Sequence, residues 1–438
     1  MPFDLGALRR HPDVEGPGLE ASDAADRLVL DVAAARIAAA GPGEIVVIDD
    51  AYGAIALGAA DAGARGIRVH QDLVTGERAL AENAARTGFA EAVRSMPFEA
   101  ALVADARLVL MRLPRSLDRL DEVAALVAEH AHPDVVLVAG GRIKHMSLAM
   151  NDVLRGHFGA LDVSHARQKS RVLTASGLET RPPSSGAPRP AGDSSGAPRP
   201  AGDSSGAPRP AGDSSGAPRP AAGSGAPRPA GDSSGAPRPA AGSGAPRPAD
   251  AWPRREHHDD LGLTVLAHGG VFAGTGVDIG TRFLLAHLAD AVPDAATAVD
   301  LACGTGVVAT WLARERAGLR VTATDRSASA AASARLTADA NGVADRVDVT
   351  QADGLELLAD ASEPLVVLNP PFHSDAALHT GIASHLFADA ARVLAPGGEL
   401  WCVWNSHLRY RPMLQRAVGP TRQIARNPKF TVTASTRR

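Results

Sequence analysis

Several features that usually reveal a protein's compartment or partner are scarce in this sequence. Only two cysteines, Cys303 and Cys402, occur among 438 residues, which argues against a disulfide framework and favours a reducing cytoplasm. The formal net charge is −4, so no overall basic field attracts nucleic acid. The stretch from Met1 to Arg10 contains no apolar signal core, and no run of about 18 apolar residues predicts a membrane span. We therefore expect a cytoplasmic, globular protein that is not attached to a membrane.

The chain divides into three regions by composition. Residues 1–181 and 253–438 have the mixed composition of folded domains, and a chain of 438 residues is long enough for two. Residues 182–252 repeat the unit Ser-Ser-Gly-Ala-Pro-Arg-Pro-Ala-Gly-Asp, and Gly-Ala-Pro-Arg-Pro occurs seven times. This repeat has no apolar face that could offset the entropy of ordering, so we predict a disordered, solvated linker. Its arginines leave loose contact with RNA as an alternative, although a tolerated repeat expansion is the simpler interpretation.

The third region alternates short apolar runs with helical patterns. The predicted strands are 296–301, 320–325, 346–350, 364–369 and 399–404. The predicted helices are 306–316, 327–340, 379–394 (ended by Pro396-Gly397-Gly398) and 412–418. Residues 423–425 and 429–434 are predicted to close the sheet as an antiparallel hairpin. This order is typical of a doubly wound, mostly parallel α/β domain.

One of these strands runs directly into the motif Asn369-Pro370-Pro371-Phe372. Because proline cannot continue a central strand, the motif should lie at the carboxyl end of the strand, where open α/β sheets bind ligands. The Asn369 side-chain oxygen and the Pro370 carbonyl can both accept hydrogen bonds from one planar exocyclic amine, which would make that amine a better nucleophile. Phe372 can stack on the base that carries the amine. A proline-rich turn without chemistry is the alternative for the motif taken alone.

The stretch from Asp300 to Gly306 predicts a cofactor loop between a strand and a helix. Gly304 and Gly306 allow the backbone to pass close to a ligand, and Asp300 is placed to bind an amino group. Asp325 ends the next strand, where a carboxylate can accept both hydroxyls of a ribose. Asp353 follows the third strand and can accept from an adenine amine. Acids at successive strand ends, without a pyrophosphate clamp, favour S-adenosylmethionine over a dinucleotide.

The first region is also predicted to be α/β, as a degenerate copy of the third. Its predicted strands are 44–49, 66–71, 101–104, 108–113 and 134–139, with a helix at 52–62. In place of a glycine-rich cofactor loop it has Asp49-Asp50-Ala51-Tyr52-Gly53. In place of an Asn-Pro-Pro motif it has Met111-Arg112-Leu113-Pro114. We interpret this region as an inactive duplicate of the catalytic fold.

These motifs together resemble a known family, the bacterial ribosomal RNA guanine-N2 methyltransferases of the small- and large-subunit pair. These enzymes are class I S-adenosylmethionine-dependent methyltransferases. Besides the two motifs above, the resemblance is carried by Gly270-Val271-Phe272, Asp278-Ile279-Gly280-Thr281 and the segment from Val403 to Tyr410. The segment from Asp49 to Ala54 and the ending Arg426-Asn427-Pro428-Lys429-Phe430 are closer to the large-subunit member. The resemblance implies two methyltransferase-like domains, of which the first binds no cofactor.

The resemblance also implies roles for individual residues. Catalytic contacts to the base and its amine are implied for Asn369, Pro370 and Phe372. The residues implied to bind the cofactor are Phe272, Asp278, Gly280, Thr281, Asp300, Ala302, Gly304, Gly306, Asp325, Asp353 and Asn369. Ala302 stands where the family usually has the first glycine of the loop, and the central repeat is not a family feature. No metal is implied.

The predicted reaction is N2-methylation of a guanine in ribosomal RNA, naked or within a subunit, by a monomeric enzyme. Two segments rich in arginine, Asn405–Arg438 and Gly140–Arg171, are candidates for phosphate contacts. Methylation of adenine N6 in nucleic acid, or of a glutamine side-chain amide in protein, would use the same Asn-Pro-Pro turn. A non-catalytic RNA-binding factor in ribosome assembly is the alternative from another functional class.

Overall fold

The structure is a computed structural model that describes residues 3–16, 18–178, 252–370 and 376–438, the side chains of 376–380 excepted. The predicted linker, apart from Trp252, lies outside the described residues. Pro371 and Phe372 of the predicted catalytic motif also lie outside them. Within the described ranges, no helix is both long enough and apolar enough to cross a membrane.

The amino-terminal half, within residues 3–178, is built around one sheet that has seven strands in the part described. Strands β1 to β7 are Ile45–Ile48, Ile67–His70, Val93–Ser95, Leu108–Arg112, Val136–Arg142, Phe158–Val163 and Ser170–Leu178. Helices α1 to α6 are Ala24–Ala39, Ala54–Asp61, Val74–Thr87, Ala100–Val103, Leu117–His130 and Leu148–Arg155. The strand order is β3-β2-β1-β4-β5-β7-β6. Strands β1 to β5 are parallel, whereas β6 and β7 form an antiparallel hairpin beside them.

The carboxyl-terminal half begins with an antiparallel hairpin of β8, Arg254–His258, and β9, Leu263–Ala267. Strands β10 to β16 are Thr297–Leu301, Arg320–Asp325, Val347–Gln351, Glu363–Leu368, Leu394–Asn405, Thr421–Arg426 and Phe430–Thr436. Helices α7 to α11 are Ile279–Leu285, Val307–Glu315, Ala328–Ala340, Ala376–Val393 and Arg411–Ala417. The strand order, β12-β11-β10-β13-β14-β16-β15, repeats that of the first sheet. The predicted fold class is confirmed, including the antiparallel hairpin at the carboxyl terminus.

Each sheet is buried on both faces. Along β13, Leu365 and Val367 pack with α7, α8 and α9 on one face, whereas Val366 and Leu368 pack with α10 and α11 on the other. The strands of the amino-terminal sheet alternate in the same way between two clusters. Continuous apolar strands such as these are characteristic of parallel sheets that are covered by helices on both sides. Each half is therefore a three-layer α/β sandwich, in which the loops at the carboxyl ends of the strands are free to form a site.

Two of the predicted elements were wrong. Residues Ala101–Ala104 were expected to be a strand, but Ala100–Val103 form the short helix α4, with Leu102 and Val103 fully buried. A four-residue apolar run fits either a buried strand or one buried helical turn, because it is too short to show a period.

The segment Pro396-Gly397-Gly398 was expected to separate a helix from a strand, but β14 already begins at Leu394. Glu363 pairs with Leu394 and Leu365 with Glu399, so the Pro-Gly-Gly segment is looped out of β14 as a bulge. Gly397 has φ = 81°, a conformation that glycine adopts without strain.

The two halves pair through equivalent loops. The loop after β2 meets the loop after β11 through a bridge between Leu73 and Ser327. The Val74 N–H donates to the Arg326 carbonyl at 2.9 Å, and the Ala328 N–H donates to the Asp72 carbonyl at 2.7 Å. The carboxyl edge of the second sheet is therefore in direct contact with residues of the first half.

Candidate active site

A cavity of about 510 Å³ lies at the carboxyl ends of β10, β11 and β13. Its volume is within the range of pockets that hold ligands of cofactor size. Leu301, Ala330 and Ile382 give it apolar walls, while Asp325 and Asn369 are among its polar lining residues. The structure thus brings the cofactor loop and the Asn-Pro-Pro turn, which are distant in sequence, to one cavity.

The loop between β10 and α8 has three residues in left-handed conformation: Ala302, Gly304 and Gly306, with φ of 57°, 55° and 73°. Ala302 lines the cavity and accepts this conformation at a cost of about 1–2 kcal/mol. Gly304 also lines the cavity, and no atom of the described residues beyond its chain neighbours lies within 4 Å of where its side chain would begin. Gly306 instead approaches α9, since an added Cβ would lie 2.7 Å from the Ala334 Cβ. The two predicted glycines therefore differ: Gly304 leaves room for a ligand, and Gly306 allows the helices to pack.

Asp325 and Asp353 both line the cavity, as expected of cofactor-binding acids. Asp325 accepts hydrogen bonds from the Gly304 N–H at 3.0 Å and the Ser327 N–H at 2.9 Å, which fix its carboxylate against the loop. Burial raises the pKa of Asp325 above its usual range. Each carboxylate oxygen has a second lone pair, so Asp325 can still accept from the hydroxyls of a ligand.

Asp300 has a different environment from the one that its sequence position suggested. Its side chain is 3% exposed, and it accepts a hydrogen bond from the Ala309 N–H of α8 at 2.9 Å. Burial raises the pKa of Asp300 to about 7. Asp300 is not among the cavity-lining residues. In this structure it holds the start of α8 in place, behind the cofactor loop.

The orientation of the Asn369 amide is fixed by two neighbours. Its Nδ2 donates to the Thr281 Oγ1 at 3.0 Å and lies 3.4 Å from the Asp278 Oδ2. A carboxylate accepts hydrogen bonds but cannot donate them, so the NH₂ group must face Asp278. Among the described residues no hydrogen bond to the amide oxygen is found, and both Asn369 and Pro370 line the cavity. The arrangement can accept two hydrogen bonds from one planar amine.

Three residues predicted to bind the cofactor lie at the start of α7. The Asp278 carboxylate accepts from the N–H groups of Gly280 and Thr281 at 2.8 and 3.2 Å, which caps the helix. None of the three is among the cavity-lining residues. Asp278 and Thr281 contact the Asn369 amide, and their binding to the cofactor stays a prediction. Phe272 lines the cavity and is 50% exposed.

Sequence reasoning missed the contribution of the amino-terminal half to this cavity. Pro12, Asp13, Val14 and Asp72 all line it. The Asp72 Oδ1 accepts from the Ser329 backbone N–H at 3.0 Å and from its hydroxyl at 2.7 Å, which adds a cap to α9. No local pattern around Asp72 distinguishes it from a surface acid, because its role depends on the pairing of the two halves.

The donor set fits S-adenosylmethionine. Asp325 can accept hydrogen bonds from the ribose hydroxyls and Asp353 from the adenine amine, and the apolar walls suit an adenine ring. The Thr324 Oγ1 is buried and has no hydrogen-bond partner among the described residues, although Thr324 lines the cavity. An unpaired buried hydroxyl at a cavity wall is consistent with a ligand that completes its hydrogen bonding.

In the amino-terminal half, the corresponding position is filled by side chains. Arg119 lies beside the loop after β1, where its Nε and Nη2 each donate to the Asp49 carboxylate at 3.1 Å. Its guanidinium carbon lies 4.1 Å from the centre of the Phe98 ring. The positions that would hold a cofactor in this copy are therefore occupied by an ion pair and an aromatic ring.

Comparison with known proteins agrees with this description. The family profile of the methyltransferase small domain matches residues 262–434, and that of the RLMG N-terminal domain matches residues 2–179. The structure is similar to a T. thermophilus 16S rRNA N2 methyltransferase, RsmC, which was solved in complex with AdoMet and guanosine. The TM-score is 0.66, the identity is 18%, and 97% of each chain is covered. At this identity the likeness shows the fold.

Curated relatives cover nearly the whole chain. The ribosomal RNA large subunit methyltransferase G of Pseudomonas paraeruginosa is 31% identical over 98% of this chain and 97% of its own. The protein of the same name from Streptomyces coelicolor is 30% identical over 98% of both chains. The predicted resemblance to the large-subunit member is confirmed, and the chain belongs to the ribosomal RNA large subunit methyltransferase G family.

Proposed function

We propose that this protein methylates the exocyclic N2 of a guanine in large-subunit ribosomal RNA. The observation that carries the proposal is the fixed amide of Asn369, whose NH₂ faces Thr281 and Asp278 while its oxygen is left for a substrate amine. Membership of a family named for ribosomal RNA methylation supports the substrate.

S-adenosylmethionine, when bound, supplies an activated methyl group on a cationic sulfur. Asp325 and Asp353 bind its adenosine part, and the open space beside Gly304 leaves room for it along the loop. Asn369 and Pro370 accept hydrogen bonds from the two protons of the guanine amine. These two contacts hold the nitrogen in place and direct its lone pair away from the ring, so their contribution is positioning and electrostatics. Phe372, the predicted stacking partner of the base, belongs to the same proposal.

The guanine must leave its base stack to reach this cavity, or come from a single-stranded segment, because a stacked base cannot enter a pocket. Phe272 at the cavity wall is half exposed and offers a ring at the entrance. RNA contacts outside the cavity are proposed for the segment Asn405–Arg438. Part of that segment is already paired within the protein, since the Arg422 Nη2 donates to Glu399 at 2.9 Å. Binding by the remaining cations should weaken steeply with salt.

We further propose a division of labour along the chain. Residues 253–438 carry catalysis, residues 1–181 contribute to recognition of the RNA, and residues 182–252 connect them. The protein would act as a monomer in the cytoplasm, where ribosomes are made. The cavity is completed by residues of the same chain, including Asp13 and Asp72, which supports a monomer as the active unit.

The test is nucleoside mass spectrometry of each ribosomal RNA from cells that lack the protein. We expect N2-methylguanosine to decrease in the large-subunit RNA and to return when the wild-type protein, but not Asn369→Ala, is supplied. If N2-methylguanosine is unchanged in both ribosomal RNAs, the proposal is wrong. Loss of N6-methyladenine or of methylglutamine would then identify the amine that the Asn-Pro turn presents. Rescue by Asn369→Ala would instead favour a non-catalytic role in ribosome assembly.

A further inference from the structure

A second cavity, of about 330 Å³, lies in the amino-terminal half at the carboxyl ends of β4 and β5. It lies away from the candidate active site, and the two cavities share no lining residue. The residues that matter for its chemistry are Arg112, Arg115, Arg142, Lys144, His145 and Asp23. A cavity at the edge of a sheet whose charged lining residues are mainly cations is suited to an anion.

This cavity is the counterpart of the part of the active site that holds Asn369. Met111 of β4 pairs with Ile48 of β1, just as Leu368 of β13 pairs with Leu301 of β10. The next residue along the chain is Arg112, the last of β4, in one half and Asn369, directly after β13, in the other.

The neighbouring elements correspond as well. Arg142 ends β5 and precedes a 3₁₀ turn, Ile143–His145, as Asn405 ends β14 and precedes the 3₁₀ turn Ser406–Leu408. Asp23 caps α1, as Asp278 caps α7. The contacts repeat too: the Arg112 Nη2 lies 3.1 Å from Asp23, and the Asn369 Nδ2 lies 3.4 Å from Asp278.

The change from Asn369 to Arg112 alters what this position can bind. An asparagine amide both donates and accepts hydrogen bonds, so its oxygen can accept a hydrogen bond from the N–H of a base amine. A guanidinium only donates, so it cannot accept from an amine but can bind an oxyanion. Because Arg119 and Phe98 fill the cofactor position of this half, the second cavity is not a second catalytic site.

The charges in and around the cavity favour an anion. Four cations, Arg112, Arg115, Arg142 and Lys144, face one lining carboxylate, Asp23. A second carboxylate, Asp26, pairs with the Arg112 Nε at 3.1 Å. The group therefore keeps an excess of two positive charges before His145 is counted.

The hydrogen bonds among the described residues leave the Arg142 Nε as a donor that a ligand can use. The Arg142 Nε is buried and has no hydrogen-bond partner among the described residues, and its Nη1 is 3.9 Å from Asp23. The Arg115 Nη2 lies 3.2 Å from the His145 Nε2. Lys144 is exposed. A buried guanidinium N–H without a hydrogen-bond partner costs free energy of folding, unless a ligand supplies the acceptor.

We propose that this cavity binds a backbone phosphate of the RNA whose guanine is presented to the catalytic half. The inference rests on the proposed function for the identity of the anion. Arginine and lysine together suit a phosphodiester, because the guanidinium donates two parallel hydrogen bonds and the ammonium adds a point charge. The degenerate copy of the base-binding region thereby fixes the position of the RNA without reading its sequence.

The experiment uses the full-length protein and protein-free large-subunit ribosomal RNA. RNA affinity is measured by filter binding over a series of salt concentrations for the wild type and for Arg142→Gln with Lys144→Gln. We expect the double variant to bind on the order of tenfold more weakly at low salt and its salt slope to fall by about 1–2. Arg36→Gln with Arg320→Gln removes two exposed arginines outside the cavity and serves as the matched control, with wild-type slope expected.

Two further variants keep the test decisive. Lys144→Glu changes one exposed residue, so it should fold, and it should weaken RNA binding at least as much as the double variant. Arg142→Lys with Lys144→Arg conserves the charge and should restore most of the affinity. Wild-type affinity and salt slope in both Arg142→Gln with Lys144→Gln and Lys144→Glu would overturn the inference.

The outcomes of these experiments also distinguish RNA binding at this cavity from the proposed function and from binding of a small anion. Absence of N2-methylguanosine in RNA treated with the wild-type protein would contradict the proposed function, whatever the cavity variants do. Stabilisation by inorganic phosphate that the double variant loses, together with unchanged RNA binding, would assign the cavity to a free anion and overturn the RNA inference.

Discussion

The two halves of the chain have one topology and almost one loop backbone, but their side chains give the same sheet edge different chemistry. After β10, left-handed φ angles of 57°, 55° and 73° occur at Ala302, Gly304 and Gly306. After β1, angles of 57°, 62° and 97° occur at Asp49, Ala51 and Gly53. The loop conformation therefore does not require the cofactor. It persists because strand, turn and helix must pack in the same way in both copies.

What differs is the set of side chains placed on that backbone. In the amino-terminal half Asp49 binds Arg119, and this ion pair lies beside Phe98 where the other half has a cavity. At the neighbouring strand, Arg112 replaces Asn369. The comparison teaches that a duplicated sheet keeps its architecture while a few substitutions at strand ends decide between binding a cofactor and binding an anion.

The largest effect is expected at Asn369, the residue that distinguishes the catalytic strand end. Asn369→Ala removes the oxygen that accepts from the substrate amine, and kcat should fall at least 10³-fold, about 4 kcal/mol in the barrier. Cofactor affinity, measured by calorimetry, should stay near that of the wild type. Substantial methylation by this variant would contradict the proposed mechanism.

The stability of both halves should depend on pH, because each half has a buried carboxyl group that accepts hydrogen bonds at the start of its first crossover helix. Asp50 accepts from the N–H groups of Ile55 and Ala56, both at 2.8 Å, and Asp300 accepts from that of Ala309. Burial raises the pKa of Asp50 and of Asp300 to about 7. The folded protein then holds these protons more tightly than the unfolded chain, so stability present below about pH 4 is lost as the pH rises through about 7.

The measurement is urea unfolding at about pH 5 and about pH 8, for the wild type, Asp50→Asn and Asp300→Asn. Between these two pH values the wild type should lose up to about 3 kcal/mol of unfolding free energy per carboxyl, and each variant should remove its share of that loss. The difference between variant and wild type isolates the one residue, since the other titrating groups are common to both. Equal pH slopes in all three proteins would contradict the assignment.

Gly306 and Gly53 occupy equivalent positions in the two halves, but their substitution by alanine should cost different amounts of stability. At Gly306 an added Cβ would lie 2.7 Å from the Ala334 Cβ and 2.9 Å from its Cα, which is backbone and cannot move alone. At Gly53 the nearest atom, at 2.7 Å, is the end of the Leu80 side chain. Gly306→Ala should therefore cost about 3 kcal/mol of stability and Gly53→Ala about 1–2 kcal/mol. Thermal unfolding of the two variants checks the order, which the reverse ranking would refute.

The smallest effect tests the contact between the halves. Asp72→Ala removes the carboxylate that caps α9 from the amino-terminal half, which should cost about 1 kcal/mol and weaken cofactor binding about fivefold. Asp61→Ala, at an exposed position ending α2, is the matched control. Unchanged cofactor affinity in Asp72→Ala would mean that Asp72 lines the cavity without contributing to cofactor binding.

Much of the site was predictable because it depends on local order. The positions of the strand ends alone pointed to five residues, and all of them line one cavity: Gly304, Asp325, Asp353, Asn369 and Pro370. Asp300 and Gly306 were also predicted to lie beside the ligand, and the structure shows that Asp300 contacts α8 and that Gly306 lies close to α9. Spacing alone does not show on which side of a turn an atom lies.

The sequence alone predicted the two α/β halves, the edge of the sheet at which the first cavity lies and the kind of cofactor, since periodicity and strand-end residues are local properties of the chain. Tertiary structure decided the rest. The orientation of the Asn369 amide depends on Asp278 and Thr281, which lie 91 and 88 residues away. The closure of the first cavity by Asp72 depends on the packing of the two halves against each other. The cationic cavity around Arg112 depends on segments of the amino-terminal half that meet only in the folded sheet. Such contacts arise from packing between distant segments, and no local pattern records them.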